Sequence, residues 1–319
     1  MSELSIIDVR EATPQEWDDI WRECPYSTYS QSREWFEIWA RWYRGRLTAT
    51  PRIYAFSDGR KALVPLAELV CHHGLVTERT VSPGDGYGGW LSPDRLNRAH
   101  ASRLCEQLMR LTNLRWRLNP HDPLLGAVNV PVTLEEEAEV VDLRGARAPA
   151  SRGAEDCEVV LATTAVQWRA YHRMRRASGI SWANRRDWRL LDSMYTKGST
   201  NVRLWLAQRA DVPLAGGVFL LANAHCQLWD IAVSRGLSDL GPLEGVLDAA
   251  MLDARARGDV PFDLDGVGDA AIAELARLRG SCRVLRGGRV ESASPATRIV
   301  RQLSAIKRAA LGSPGSSVG

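Results

Sequence analysis

Apolar residues recur along this chain first at helical spacing and then in short strand-like runs, and the whole progression occurs twice. Thr13-Pro14-Gln15-Glu16 predicts a helix start, with Thr as cap, Pro at the first helical position and Glu at the third. The helix carries Trp17 and Trp21. Ser32 caps a second helix in which Trp35, Ile38, Trp39 and Trp42 keep helical spacing. PRIYAF and KALVPLAELV read as strands joined by the turn Ser57-Asp58-Gly59-Arg60. SPGDGYGG is a loop, RLNRAHASRLCEQLMRL a helix and RWRLNP a short strand with a stop.

The second half follows the same order. Residues 165–177 and 184–195 read as helices. NVRLWLAQ and LAGGVFLLA form a hairpin around Arg209-Ala210-Asp211, and HCQLWDIAV pairs next. Leu240, Leu243, Leu247, Ala250, Met251 and Ala254 make one helical face closed by Gly258. VPFDLDG is a strand, DAAIAELARL a helix, and CRVLRGGRVES a strand and turn. The repeated order implies duplication, although the halves share no clear identity. LRGARAPASRGAEDC, at 143–157, is poor in large apolar residues and reads as a linker. The expected units are 1–145 and 158–310, with 146–157 between them and a small, polar, disordered tail at 311–319.

Composition narrows the classes. With 319 residues, 45% hydrophobic and 25% charged, the chain has material for about two globular domains. A net charge of +3 does not demand nucleic acid. Lys61, Lys197 and Lys307 are the only lysines among 41 basic residues, a bias that a GC-rich genome produces without functional pressure. No apolar run reaches the roughly 18 residues that span a bilayer. The acidic, amphipathic start MSELSIIDVREATPQEW is unlike a secretory leader. A cytoplasmic monomer is the expectation. The six cysteines form no C-x-x-C pair and are expected as buried free thiols. The six histidines are scattered, His72-His73 being the only adjacent pair, so neither a metal nor a resident cofactor is expected.

The order YSTYSQSREWFEIW, RIYAFSDGRKALVPLAEL, SPGDGYGGWL resembles the opening of the Fem-type aminoacyltransferases, with their "QS..W" helix start, hairpin and Gly/Pro-rich loop. PLAGGVFLLANAHCQLWDIAVS and GPLEGVLDAAMLDARARGDVPFDLDGVG resemble the family's later hairpin, long helix and Asp-rich strand end. No single motif is specific; the ordered set, over most of 15–285, carries the resemblance. It implies an α/β (α+β) chain of two tandem GNAT-like domains, transferring an acyl group to an amine. It also implies aminoacyl-tRNA as donor and a cell-wall precursor or peptide natural product as acceptor. The stretch between 165 and 200 is too short for the family's coiled-coil arm. Two departures matter. Trp39 stands where peptidoglycan-specific members carry a Lys that contacts a nucleotide diphosphate. Leu275–Gly280 lacks the Lys of the family's "fK..fG" segment, unless Arg277 or Arg279 replaces it. A small peptide or other amine is therefore favoured over a uridine-diphosphate sugar.

Such a reaction needs no signature nucleophile, because the donor ester is already activated. The protein positions the amine and stabilises an oxyanion, for which a bulge in splayed strands supplies backbone N–H groups. Asp263 and Asp265 share one face of FDLDG, either to hold or deprotonate the ammonium or to cap the following helix. Asp230, beside Trp229 in an apolar strand, needs a partner or a cleft and is a candidate for gripping the amine. Arg173 and Arg176 share a helical face, as do Arg185 and Arg189, interleaved with Tyr171, Trp182 and Trp188. These suit an RNA acceptor stem or a plain solvated surface. In Ser82–Gly89, with Asp85 and Tyr87, the glycines allow close ligand approach or simply make a surface loop. Trp39 packs a core or floors an acceptor pocket. Two other functions stay open. An acyl-CoA-dependent N-acyltransferase is disfavoured by Asp239 and Pro242 in the turn that would cradle pyrophosphate. A non-catalytic double-GNAT binding module is disfavoured by the retained aspartates.

Overall fold

The first strand, β1 (Ile6–Glu11), leads into a capping box formed as the sequence predicts. Thr13 Oγ1 accepts the Glu16 N–H at 3.2 Å, and the Glu16 carboxylate accepts the Thr13 N–H at 2.9 Å. This starts α1 (Pro14–Glu23), and Ser32 Oγ, accepting the Trp35 N–H, starts α2 (Arg33–Trp42). There follow β2 (Leu47–Ala49), β3 (Arg52–Phe56), β4 (Lys61–Val64), β5 (Ala67–Cys71), β6 (Val76–Thr80), α3 (Arg98–Met109), β7 (Leu114–Arg117) and β8 (Leu134–Asp142). The second half holds β9 (Glu158–Leu161), α4 (Ala165–Ser178), α5 (Trp188–Lys197), β10 (Val202–Arg209), β11 (Val212–Ala222), β12 (His225–Val233), α6 (Gly241–Arg257), β13 (Pro261–Asp263) and β14 (Ser281–Glu291). This computed structural model describes residues 3–71, 74–145, 157–178, 188–223, 225–236, 240–259, 261–264, 274, 277, 281–300 and 302. The tail at 311–319, most of the linker, His72, His73 and the DAAIAELARL segment apart from Glu274 and Arg277 lie outside the described residues.

Eleven strands form one sheet in the order β2-β5-β6-β7-β14-β8-β13-β12-β11-β10-β9, and β1-β3-β4 form a second. KALVPLAELV is one run in sequence but two strands, because Pro65 offers no N–H and β4 and β5 join different sheets. The halves repeat one design. An antiparallel hairpin (β5–β6, β11–β12) is followed by a helix and then by a strand parallel to the hairpin's second arm (β6–β7, β12–β13). The last strands are exchanged: β8 of the first half pairs with β13, β14 of the second half pairs with β7, and β8 and β14 pair with each other. These are the tandem GNAT-like units expected, fused through a reciprocal strand swap.

The core reflects that fusion. Two outer clusters centre on one half each, around α3 with Trp90 and Trp116 and around α6 with Phe219 and Phe262, and each takes in the strand swapped from the other half through Val290 and Val141. The central cluster is common to both, packing Trp17, Trp35 and Trp39 against Tyr171, Leu190, Leu204 and Trp229. Trp35, Ile38 and Trp39 are all buried, which is the core role that their helical spacing allows.

Candidate functional site

The chain leaves β7 through Leu118-Asn119-Pro120-His121, and backbone pairing fixes this exit. The Leu118 N–H donates to Gly288 at 2.8 Å and the Asn119 N–H to Gly88 at 3.1 Å. Asn119 Oδ1 then accepts the His121 N–H at 3.0 Å, while its Nδ2 donates to the Tyr26 carbonyl at 2.9 Å. His225 opens β12, two residues after Asn223, whose Nδ2 donates to the Trp21 carbonyl at 2.7 Å. Asp263 closes β13 opposite Gln227. These three elements aim His121, His225 and Asp263 at one point. His121 Nε2 is 2.8 Å from Asp263 Oδ2 and 2.9 Å from His225 Nε2, and His225 Nε2 is 3.7 Å from the same carboxylate oxygen.

A cleft of about 380 Å³ opens onto His121 and His225, walled by Tyr26, Asp122, Asn223 and Arg283. Its first-half and second-half residues face each other. Burial acts to raise the Asp263 carboxyl, but the His121 hydrogen bond and the adjacent His225 imidazole outweigh it and hold the group well below the usual carboxylate range. Burial, aided by His121, pushes His225 down to about 4, so its imidazole is neutral at pH 7. Asp122 is pushed up to about 7 by burial, opposed by the Leu124 N–H that it accepts.

Among the described residues β12 pairs with β13 at Cys226–Phe262 and Gln227–Asp263, and β12 continues to Val233. On its other side the register passes from Phe219–Leu228 to Val218–Asp230, leaving Trp229 as a bulged extra residue. Trp229 is buried edge-on against Trp35, with ring centroids 5.8 Å apart, and Trp35 Nε1 donates to Pro83 of the Gly-rich loop.

The other residues singled out in the sequence fall into distinct settings. Asp230 is fully buried, taking the Arg175 guanidinium at 2.8 Å and the Tyr171 hydroxyl at 3.0 Å. A protein cation thus occupies the position proposed for a substrate ammonium. Gly216 is the reason Tyr171 reaches it: a Cβ there would lie 2.9 Å from Tyr171 Cδ2 and 2.6 Å from Leu206 Cδ2. Gly216→Ala is expected to displace the ring and lower stability by about 1–3 kcal/mol, read by urea unfolding. Tyr87 lies edge-on to His121, centroids 6.2 Å apart, under the Arg117 guanidinium at 4.4 Å. Asp85 bridges Arg115 at 3.3 Å and Arg289 at 3.4 Å beside a smaller crevice of about 40 Å³. Trp39 is core, packed on Trp35, Trp42 and Tyr43. Arg277 is exposed and pairs with Glu139 of β8. Arg173 and Arg176 are exposed on α4, and Arg189 lies on α5 with its side chain undescribed. Asp265, Arg185, Trp182 and Arg279 lie outside the described residues.

His121, His225 and Asp122 were not singled out by sequence. His121 lies 104 positions from His225 and 142 from Asp263, so no local spacing unites them. None of the six cysteines is in a disulfide, and three of them are buried.

No family model matches this sequence, and no curated protein matches it. Solved structures do. FemX superposes with a TM-score of 0.64 at 10% identity, covering 93% of this chain and 99% of that one. The C-terminal domain of a candidate lysylphosphatidylglycerol synthetase from Agrobacterium fabrum gives 0.51 at 10% identity, covering 92% and 98%. A protein of unknown function from Bacteroides thetaiotaomicron gives 0.50 at 9%, covering 89% and 99%. The chain therefore has the Fem-type fold of tandem GNAT-like units. Among the described residues no helix is long and apolar enough to cross a membrane.

Proposed function

We propose that this chain is an acyltransferase that forms an amide on a small peptide amine, with aminoacyl-tRNA as the donor. The observation that carries the reading is the Trp229 bulge in β12, on the fold it has in common with FemX. A bulge takes a residue out of the regular ladder, and a backbone N–H left unpaired in this way suits the oxyanion of acyl transfer. The neutral amine attacks the ester carbonyl, a C–N bond forms, and the C–O bond to the terminal ribose breaks. The proton lost by the amine passes to the departing ribose oxygen. Positioning supplies most of the acceleration, because the ester is preactivated. Arg173 and Arg176, both exposed, would meet the RNA phosphates in this reading.

The test incubates the full chain with mixed charged tRNAs and candidate peptides, and separately with acetyl-CoA, and reads product mass. A gain of one aminoacyl residue, dependent on charged tRNA, is the expected result. Transfer from acetyl-CoA alone, with a thermal shift that tRNA does not give, overturns the donor assignment in favour of an acyl-CoA enzyme. Binding of peptide without transfer from either donor overturns the enzyme reading.

A further inference from the structure

We propose that His121, His225 and Asp263 form a binding site for one divalent transition-metal ion of the zinc class, bridging the two halves of the chain. The argument begins with the polar atoms themselves. A neutral imidazole nitrogen has one in-plane direction, carrying either a proton or a lone pair. His121 Nε2 faces two such partners, Asp263 Oδ2 at 2.8 Å and His225 Nε2 at 2.9 Å. If His121 Nε2 is bare, its lone pair opposes a carboxylate oxygen. If it is protonated, one proton is divided between the carboxylate and the second imidazole. His225 offers no relief, because its Nδ1 is buried with no hydrogen-bond partner among the described residues. Hydrogen bonding alone leaves this cluster poorly matched.

A cation resolves it. The circle through the three atoms has a radius of about 1.9 Å, so a point roughly 2.1 Å from each lies just off their plane, at the bond lengths zinc takes to imidazole and carboxylate. Two imidazoles and one carboxylate favour zinc, cobalt or iron over magnesium or calcium, which prefer all-oxygen shells. The donor atoms lie within 4.8 Å of one another and their residues are largely buried. Three protein ligands leave a fourth position, and the cleft at His121 and His225 supplies the space for a water or ligand there. His121 comes from the first half and the other two from the second, so the ion would tie the exit of β7 to the β12–β13 pair. The proposal is independent of the transfer reaction and needs no donor or acceptor to test.

The full chain is stripped with chelator and titrated with cobalt(II), then with zinc. The expected result is one cobalt per chain, with visible d–d absorption of a four- or five-coordinate ion, no thiolate charge-transfer band, displacement by zinc, and a rise in melting temperature. His121→Asn and Asp263→Asn should each weaken cobalt binding by at least about 100-fold. His72→Ala with His73→Ala should leave it unchanged. His121→Asn sits on the cleft rim, and its fold is checked by circular dichroism, so it carries the test even if Asp263→Asn does not fold. No stoichiometric uptake, a thiolate band, or binding by His121→Asn within about threefold of the parent overturns the proposal.

Discussion

Arg175→Met is expected to destabilise the chain by about 3–5 kcal/mol, because it removes the cation paired with a buried carboxylate. Asp230 is fully buried, and the Arg175 side chain is only 8% exposed. The guanidinium Nε lies 2.8 Å from one carboxylate oxygen and 3.1 Å from the other. Removing the cation leaves an anion in a low-dielectric core, and the neutral Tyr171 hydroxyl does not replace a charge. Removing both charges is milder. Arg175→Met with Asp230→Asn retains an amide that Tyr171 can still reach, and the expected loss falls to about 1–2 kcal/mol. Urea unfolding of the two variants checks this. A single variant within about 1 kcal/mol of the parent would show the pair to be dispensable. The same pair bears on function. Asp230 is held by a protein cation, so Asp230→Asn should act on stability rather than on the KM of the acceptor amine.

The contrast between Asp230 and its neighbours shows what was legible in sequence. A lone aspartate in an apolar strand announced that it needed a partner, but not which one. Helical geometry places Arg173 and Arg176 on one exposed face and turns Arg175 inward, so the partner stood on the helix whose other arginines suggested an RNA-facing surface. Local chemistry was readable wherever one turn decides the outcome. The Thr13 capping box formed as expected, and the Arg209-Ala210-Asp211 turn places Ala210 and Asp211 at φ 47° and 64°, as a tight hairpin requires. β8 was not readable. LEEEAEVVD has the composition of a solvated segment, and it becomes a strand because β14 pairs along its length and arginines from β7, β14 and the segment before β14 meet its glutamates. Glu136 takes Arg289 and also Arg117 at 2.7 Å, and Glu139 takes Arg277. Pairing that closes over nearly 150 residues leaves no trace in a local window. The His121–His225–Asp263 convergence was hidden for the same reason. Asp263 drew attention for the face it would have in common with Asp265, whereas the groups that touch it arrive from β12 and from the other half of the chain.

Gly84→Ala should be among the most damaging single-methyl changes in the chain, with an expected loss of about 2–5 kcal/mol from strain and overpacking together. Gly84 has φ +71°, a region in which a side chain is unfavourable. A Cβ there would lie 1.8 Å from Trp39 Cζ2 and 2.1 Å from Trp39 Cε2, inside any tolerable contact. Trp39 has little room to withdraw, since Trp35, Trp42 and Tyr43 pack around it with ring centroids 5.2–5.7 Å away. The loop must therefore move, and it carries Asp85 between Arg115 and Arg289 and Tyr87 against His121. Gly59→Ala isolates the backbone part, because Gly59 has φ +87° and nothing within 4 Å of the new methyl. That variant should lose about 1–2 kcal/mol. Trp39→Leu placed in the Gly84→Ala background removes the clashing ring edge and should make the second substitution cheaper than it is in the parent chain. Equal losses for Gly84→Ala and Gly59→Ala in urea unfolding would show that the loop yields without strain, and that the close seating of Gly84 on Trp39 does not hold it in place.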